Sequence, residues 1–203
     1  MWNLLWISAI AYLLGSIPTA YLVTRAATGR DIRYAGDGNA GARNTLRVAG
    51  RGAGLAVLAV DVAKGAAAYW LARRWSEAEA AVYLAGLAVL VGHWLPVWLH
   101  GRGGIGQAAA TGFLGAMWPG AMLAGLVAFG LGRLAWRNFD VAYGLGAAAY
   151  LAVSFWLGNT WPGGVFVVLL LVGTGAKYAV DRPRQRELLR HQAGGGSAPR
   201  RRR

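Results

Sequence analysis

Apolar runs of roughly 20 residues recur from one end of this chain to the other, and about 20 residues is what a helix needs to cross the hydrocarbon core of a bilayer. That pattern excludes most folds. Only 14% of the 203 residues are charged, against about 25% in an average soluble domain. The chain therefore reads as an all-α polytopic membrane protein built from a single membrane domain. The first run, 2–23, has no basic residue ahead of it and no small-residue cleavage site, so it reads as a true span and not a signal peptide.

Seven transmembrane helices are expected, some of them short, at roughly 3–24, 54–72, 79–99, 106–118, 120–135, 141–158 and 161–179. Trp118-Pro119-Gly120 favours a break between the fourth and fifth. Merging those two gives a six-span alternative. The basic residues choose between them. Arg25, Arg30, Arg33, Arg43, Arg47 and Arg51 crowd the first loop, and Lys177, Arg182, Arg184, Arg186, Arg190 and 200–203 crowd the tail. Positive loops face the cytoplasm. Seven spans put both clusters there, with the N-terminus outside and the C-terminus inside; six would separate them. The seven-span reading also puts Arg102, Arg133 and Arg137 inside, and only Arg73 and Arg74 outside.

Residues 1–180 are thus expected to form one seven-helix domain with cytoplasmic loops at 25–53 and 100–106. Residues 181–203 form a basic tail, disordered from about 193 and resting on anionic lipid. Ser76 with Glu79 resembles a capping box for the third span, Asp140 is placed to cap the sixth, and Asn159-Thr160 before Trp161-Pro162 fits a stop and a restart.

The chain has no cysteine, and His93, His100 and His191 lack the spacing of a metal site. No metal and no cofactor are expected. The net charge of +13 reads as topology and lipid contact in so apolar a chain, not as nucleic-acid binding.

Three polar groups interrupt the apolar pattern on the expected cytoplasmic side. In the first loop, Gly36, Gly38 and Gly41 can expose backbone N–H groups to an anion. If that stretch is helical, Arg43 and Arg47 share a face and can clamp a phosphate. The alternative is a flexible loop with arginines placed for topology. In the second group, His93 lies deep in a span, and Gly103, Gly104 and Gly106 open the next helix. These can form a floor with N–H groups above it, or a hydrogen-bonded histidine beside a tightly packed turn. In the third, Asp61 and Lys64 stand one helical turn apart. They read as a structural ion pair, with direct substrate contact as the minor alternative.

Together these segments resemble the PlsY family of bacterial membrane acyl-phosphate:glycerol-3-phosphate acyltransferases. The resemblance rests on Gly15-Ser16-Ile17-Pro18 with Tyr21, on Asp31-Ile32-Arg33, and on Gly36-Asp37-Gly38-Asn39-Ala40-Gly41-Ala42-Arg43-Asn44-Thr45-Leu46-Arg47. It continues through Asp61 with Lys64-Gly65, Gly92-His93 with Pro96, and Gly103-Gly104-Ile105-Gly106. It implies a seven-helix enzyme of the bacterial inner membrane with its active site facing the cytoplasm. Its substrates would be acyl-phosphate and glycerol 3-phosphate, its product lysophosphatidic acid. By the same resemblance, Asn39, Arg47 and His93 would be catalytic. Gly36, Asp37, Gly38, Gly41, Arg43, Asn44, Gly103, Gly104 and Gly106 would bind substrate or phosphate. Five positions differ from the family pattern. Asp37 stands for its serine, Ile105 for its lysine, Asp181 and Arg184 for its closing histidine and asparagine, and Arg43 for a small polar residue. Two readings therefore remain open: acyl transfer with a normal or altered acceptor, and a PlsY-like protein that without turnover binds lipid or acyl-phosphate or serves as a partner subunit.

Overall fold

The computed structural model describes residues 2–193. The four terminal arginines, and nearly all of the stretch expected to be disordered, lie outside the described residues. Nine α-helices occur among those described: α1 Trp2–Ser16, α2 Thr19–Thr28, α3 Ala42–Ala49, α4 Arg51–Trp75, α5 Glu79–Trp94, α6 Gln107–Met117, α7 Pro119–Trp136, α8 Phe139–Trp156 and α9 Trp161–Ala193. No strand is present among them.

Six helical segments are long and apolar enough to cross a membrane: Trp2–Thr28, Arg51–Trp75, Glu79–Leu99, Pro119–Trp136, Phe139–Trp156 and Trp161–Arg190. The first joins α1 and α2 across Pro18, whose ring cannot continue the hydrogen-bond ladder. The fourth expected span is the 11-residue α6, about 16 Å long at 1.5 Å per residue. It ends at Trp118, and Pro119 starts α7 at the position where a missing N–H costs nothing.

Helix approach depends on absent side chains. A Cβ on Gly65 of α4 would run into the backbone of Ala109 and Phe113 on α6, and one on Gly112 would run into Val62. The α4–α6 contact is therefore backbone against backbone. Phe113, Leu90, Val82, Val89, Leu170 and Ile7 are fully buried between α1, α5, α6 and α9. The helices α7 and α8 form an antiparallel hairpin, with Gly125 against Gly146 and Gly132 against Ala142.

Two capping expectations need correction. Helix α5 begins after Ala78, with no side-chain cap. The Ser76 hydroxyl accepts the Ala78 N–H at 3.2 Å, and Glu79 is drawn to Arg73 at 2.7 Å. Helix α8 is capped by Asn138, whose Oδ1 accepts the N–H groups of Asp140 and Val141. Asp140 sits two residues past the cap, inside the first turn.

Candidate active site

The first loop is built around Asn44. Its side chain is completely buried. It donates to the carbonyls of Ala35 at 2.9 Å and Asn39 at 3.1 Å, and accepts the Asp37 N–H at 3.0 Å. One amide thus holds the turn together, which a buried polar group must do to repay its desolvation. Gly36 (φ +58°) and Gly38 (φ +73°) supply left-handed backbone that other residues rarely adopt. Arg33 grips Asp31 and reaches the Leu99 carbonyl, tying this loop to 97–106. The hydrogen bond that Arg33 donates to Asp31 outweighs burial and raises the Arg33 pKa above its ordinary value.

The loop does not form the open N–H concavity that its glycine spacing suggested. The N–H groups of Asp37, Gly38, Asn39 and Gly41 donate to Asn44 Oδ1, the Ala35 carbonyl, Asp37 Oδ1 and the Asn39 carbonyl respectively. Arg43 and Arg47 do share helix α3, as expected, but do not converge. Arg47 Nη1 donates to Asp37 Oδ2 at 2.8 Å, while Arg43 lies over the Phe139 ring at 4.4 Å. From the other side, α9 covers the loop. Leu188 packs on Gly38, and Arg184 Nη2 donates to the Gly38 carbonyl at 3.4 Å. The second departure from the family pattern on α9, Asp181, pairs with Lys177.

In the second turn, the N–H groups of Gly103 and Gly104 return to the Trp94 and His93 carbonyls. They satisfy the end of α5, where carbonyls lack helical partners, and are not free for an anion either. Trp94 Nε1 donates to the Ile105 carbonyl at 2.7 Å. Gly104 is wedged between the Ala40 carbonyl and His93 Nε2, with no room for a Cβ. The two motif loops therefore touch backbone to side chain at His93. Behind it, Lys64 pairs with Asp61 at 2.8 Å and donates to the Ile17 carbonyl at 3.3 Å. His93 Nδ1 lies 4.0 Å from Asp61 Oδ1. The ion pair expected from sequence is present and almost wholly buried.

These elements surround a cavity of about 450 Å³. Asn39, Gly41, Arg43, Asp61, His93, Gly106 and Gln107 line its polar part. The rest is apolar: Leu55 and Leu58 of α4, Leu114 of α6, Met122, Leu126 and Phe129 of α7, Phe139, Tyr143, Ala147 and Tyr150 of α8, and Leu171 of α9. The Tyr150 hydroxyl donates to the Leu114 carbonyl at 3.0 Å, joining α8 to α6. Two helix N-termini reach the cavity, Gly41-Ala42-Arg43 of α3 and Gly106-Gln107-Ala108 of α6. First-turn N–H groups have no intrahelical acceptor and carry partial positive charge. A phosphate or oxyanion suits such a place. Asn39 Oδ1, on the same wall, is buried without a hydrogen-bond partner among the described residues.

Of the expected site residues, Asn39, His93, Gly41, Arg43 and Gly106 face this cavity. Gly36, Asp37, Gly38, Asn44, Arg47, Gly103 and Gly104 do not line it. They shape or flank the loops that do. Gln107, Phe139 and Tyr143 were not singled out from sequence. The spacing of Phe139, Tyr143, Ala147 and Tyr150 along one face of α8 was the available signal, but in a membrane helix it reads equally well as packing.

A sequence model of the family described as glycerol-3-phosphate acyltransferase matches residues 5–184. A protein of that description from Parasynechococcus marenigrum is 48% identical over 126 residues, covering 61% of this chain and 57% of the relative. One from Anaeromyxobacter sp. is 41% identical over 144 residues, covering 69% and 71%. The chain thus matches little more than half the length of the first of these. The crystal structure of PlsY, an integral membrane glycerol 3-phosphate acyltransferase, in its glycerol 3-phosphate form superposes with a TM-score of 0.79. That match has 24% identity and covers 97% of this chain and 96% of the other. The lysophosphatidic acid form of PlsY gives 0.76 at the same identity, covering 95% and 92%. At that identity the likeness speaks for the fold.

Proposed function

This chain belongs to the glycerol-3-phosphate acyltransferase family, and we propose that it moves an acyl group from acyl-phosphate to glycerol 3-phosphate, forming lysophosphatidic acid. The observation that carries this reading is the meeting of two helix N-termini and Arg43 at the polar part of an otherwise apolar cavity. The apolar walls suit an acyl chain, and the polar part suits a phosphate and a developing oxyanion. An acyl-phosphate is already an activated mixed anhydride. The hydroxyl oxygen attacks its carbonyl carbon, the C–O bond to phosphate breaks, and inorganic phosphate leaves carrying the hydroxyl proton. No covalent acyl-enzyme and no cofactor are needed. The protein contributes orientation and charge stabilisation.

In this reading His93 forms the floor under the reacting carbonyl, and Asn39 orients a substrate hydroxyl through its unpaired Oδ1. Arg47 takes the phosphate of glycerol 3-phosphate. Gly36, Gly38, Gly41, Gly103, Gly104 and Gly106 allow the close backbone approaches. The positive-inside rule supports seven crossings, with α6 as the short one, a periplasmic N-terminus and a cytoplasmic site in the bacterial inner membrane. The exposed arginines of the tail would rest on anionic lipid.

The Asp37–Arg47 pair favours a second reading, in which the chain binds these ligands without turnover. Labelled glycerol 3-phosphate separates the two. In the transferase reading, purified protein moves the label into extractable lipid only when acyl-phosphate is added. Label that stays in the aqueous phase with both substrates present overturns it.

A further inference from the structure

Arg43 occupies the first turn of α3, and a first turn ordinarily gains nothing from a cation. It is the only lysine or arginine among the described residues that line the cavity. Its guanidinium is centred 4.4 Å from the Phe139 ring, and it makes no hydrogen bond or ion pair with any described residue. Phe139 is itself fixed, edge-on to Phe129 at 5.6 Å and stacked near Tyr143 at 6.3 Å. A partly buried fork of N–H donors is thus held over an aromatic face at the boundary between the polar and apolar walls. The other motif arginine differs in both respects, since Arg47 is engaged by Asp37 and lies off the cavity.

We propose that Arg43 reads the head group of the amphiphile whose acyl chain occupies the cavity, and thereby selects a phosphate-headed lipid over a neutral one. Arg47 serves the water-soluble phosphate instead. The guanidinium exchanges the Phe139 face for bidentate hydrogen bonds to the phosphate, which are the stronger interaction. Two phosphates take part in the proposed reaction, and each has its own arginine. This assignment rests on the acyl-transfer reading for its donor, but Arg43 can be tested without turnover.

The kinetic test compares Arg43→Gln, Arg43→Lys and Phe139→Leu with wild type, varying each substrate in turn. Arg43→Gln is expected to raise KM for acyl-phosphate about ten- to a hundredfold, as loss of a charge-assisted hydrogen bond does. KM for glycerol 3-phosphate should stay within about twofold. Arg43→Lys should fall between the two, and Phe139→Leu should keep the preference because it keeps the charge. The binding test titrates a long-chain alkyl phosphate, an unreactive stand-in for acyl-phosphate, and the alcohol of the same chain length against protein in nanodiscs. Wild type should prefer the phosphate-headed lipid, and Arg43→Gln should lose that preference. An equal preference in wild type and Arg43→Gln overturns the proposal. So does a rise in KM for glycerol 3-phosphate alone. Arg43-dependent binding by a wild type that does not turn over would sink the transferase reading and leave the role of Arg43 standing.

Discussion

Asp37 and Arg47 lie ten residues apart in sequence and 2.8 Å apart in space, a half-exposed guanidinium held by a nearly buried carboxylate. Asp37 also uses its other oxygen to accept the Asn39 N–H, so the carboxylate is fixed by the turn and the arginine comes to it. A phosphate arriving at Arg47 must share the guanidinium with this anion. Replacing Asp37 with Asn keeps the turn acceptor and removes the charge. Asp37→Asn is expected to tighten glycerol 3-phosphate binding about two- to fivefold, the scale of a solvent-accessible ion pair. Calorimetric titration reads the sign directly, and weaker binding would mean that Asp37 helps the ligand.

Arg47→Ala should do the opposite. The side chain is more than half exposed, so its removal leaves no cavity and Tm should stay nearly unchanged. Ligand binding should fall. Unaltered affinity in a folded Arg47→Ala protein would remove this residue from the site.

Asn44 makes its prediction through stability. Its amide holds three stretches of the first loop from a fully buried position. Asn44→Ala leaves buried groups unpaired, at about 1–3 kcal/mol each. A clear drop in Tm is expected, with faster trypsin cleavage in the first loop. A variant as stable as wild type would show that the loop does not depend on this residue.

The buried pair Asp61–Lys64 should show strong coupling. Removing either partner strands a charge inside the helix bundle, which typically costs about 3–5 kcal/mol. Asp61→Leu and Lys64→Met should each destabilise, and the double variant should recover much of the loss. Additive losses in thermal denaturation would show that the two charges do not stabilise one another.

Gly104 and Gly52 form a contrasting pair. A Cβ on Gly104 has nowhere to go between Ala40 and His93, whereas one on Gly52 meets nothing. Gly104→Ala should displace His93, lower activity, and destabilise the protein by roughly 1–3 kcal/mol as overpacking does. Gly52→Ala should leave both activity and stability in place. Equal effects at the two positions would contradict the wedge.

Much of the helical layout was legible in sequence because a bilayer imposes length and apolarity on each crossing, and Pro119 punctuates it; the break at Pro18 inside the first expected span was not read. The ion pair Asp61–Lys64 was legible because helix periodicity puts them on one face. The loop was less so. Closely spaced glycines suggest free N–H groups, but the side chains of Asn44 and Asp37 and the carbonyls of Ala35 and Asn39 consume those of 37, 38, 39 and 41, and nothing local in the sequence says that a side chain seven residues away will turn back. The same holds for Asn138, which takes the cap that Asp140 was expected to make. The cavity was hidden for another reason. Arg43 and Phe139 meet only because the starts of α3 and α8 flank the same cavity, a relation that no spacing along the chain encodes.

The most direct measurement is formation of lysophosphatidic acid by the purified protein from acyl-phosphate and glycerol 3-phosphate, run beside the combined change Asp37→Ser, Ile105→Lys and Asp181→His. Turnover by the wild type well above an enzyme-free control is the expected result. It would mean that this site works with its own residues. A silent wild type beside an active variant would contradict it, and would mean that the scaffold is intact but this chain does not carry out the reaction.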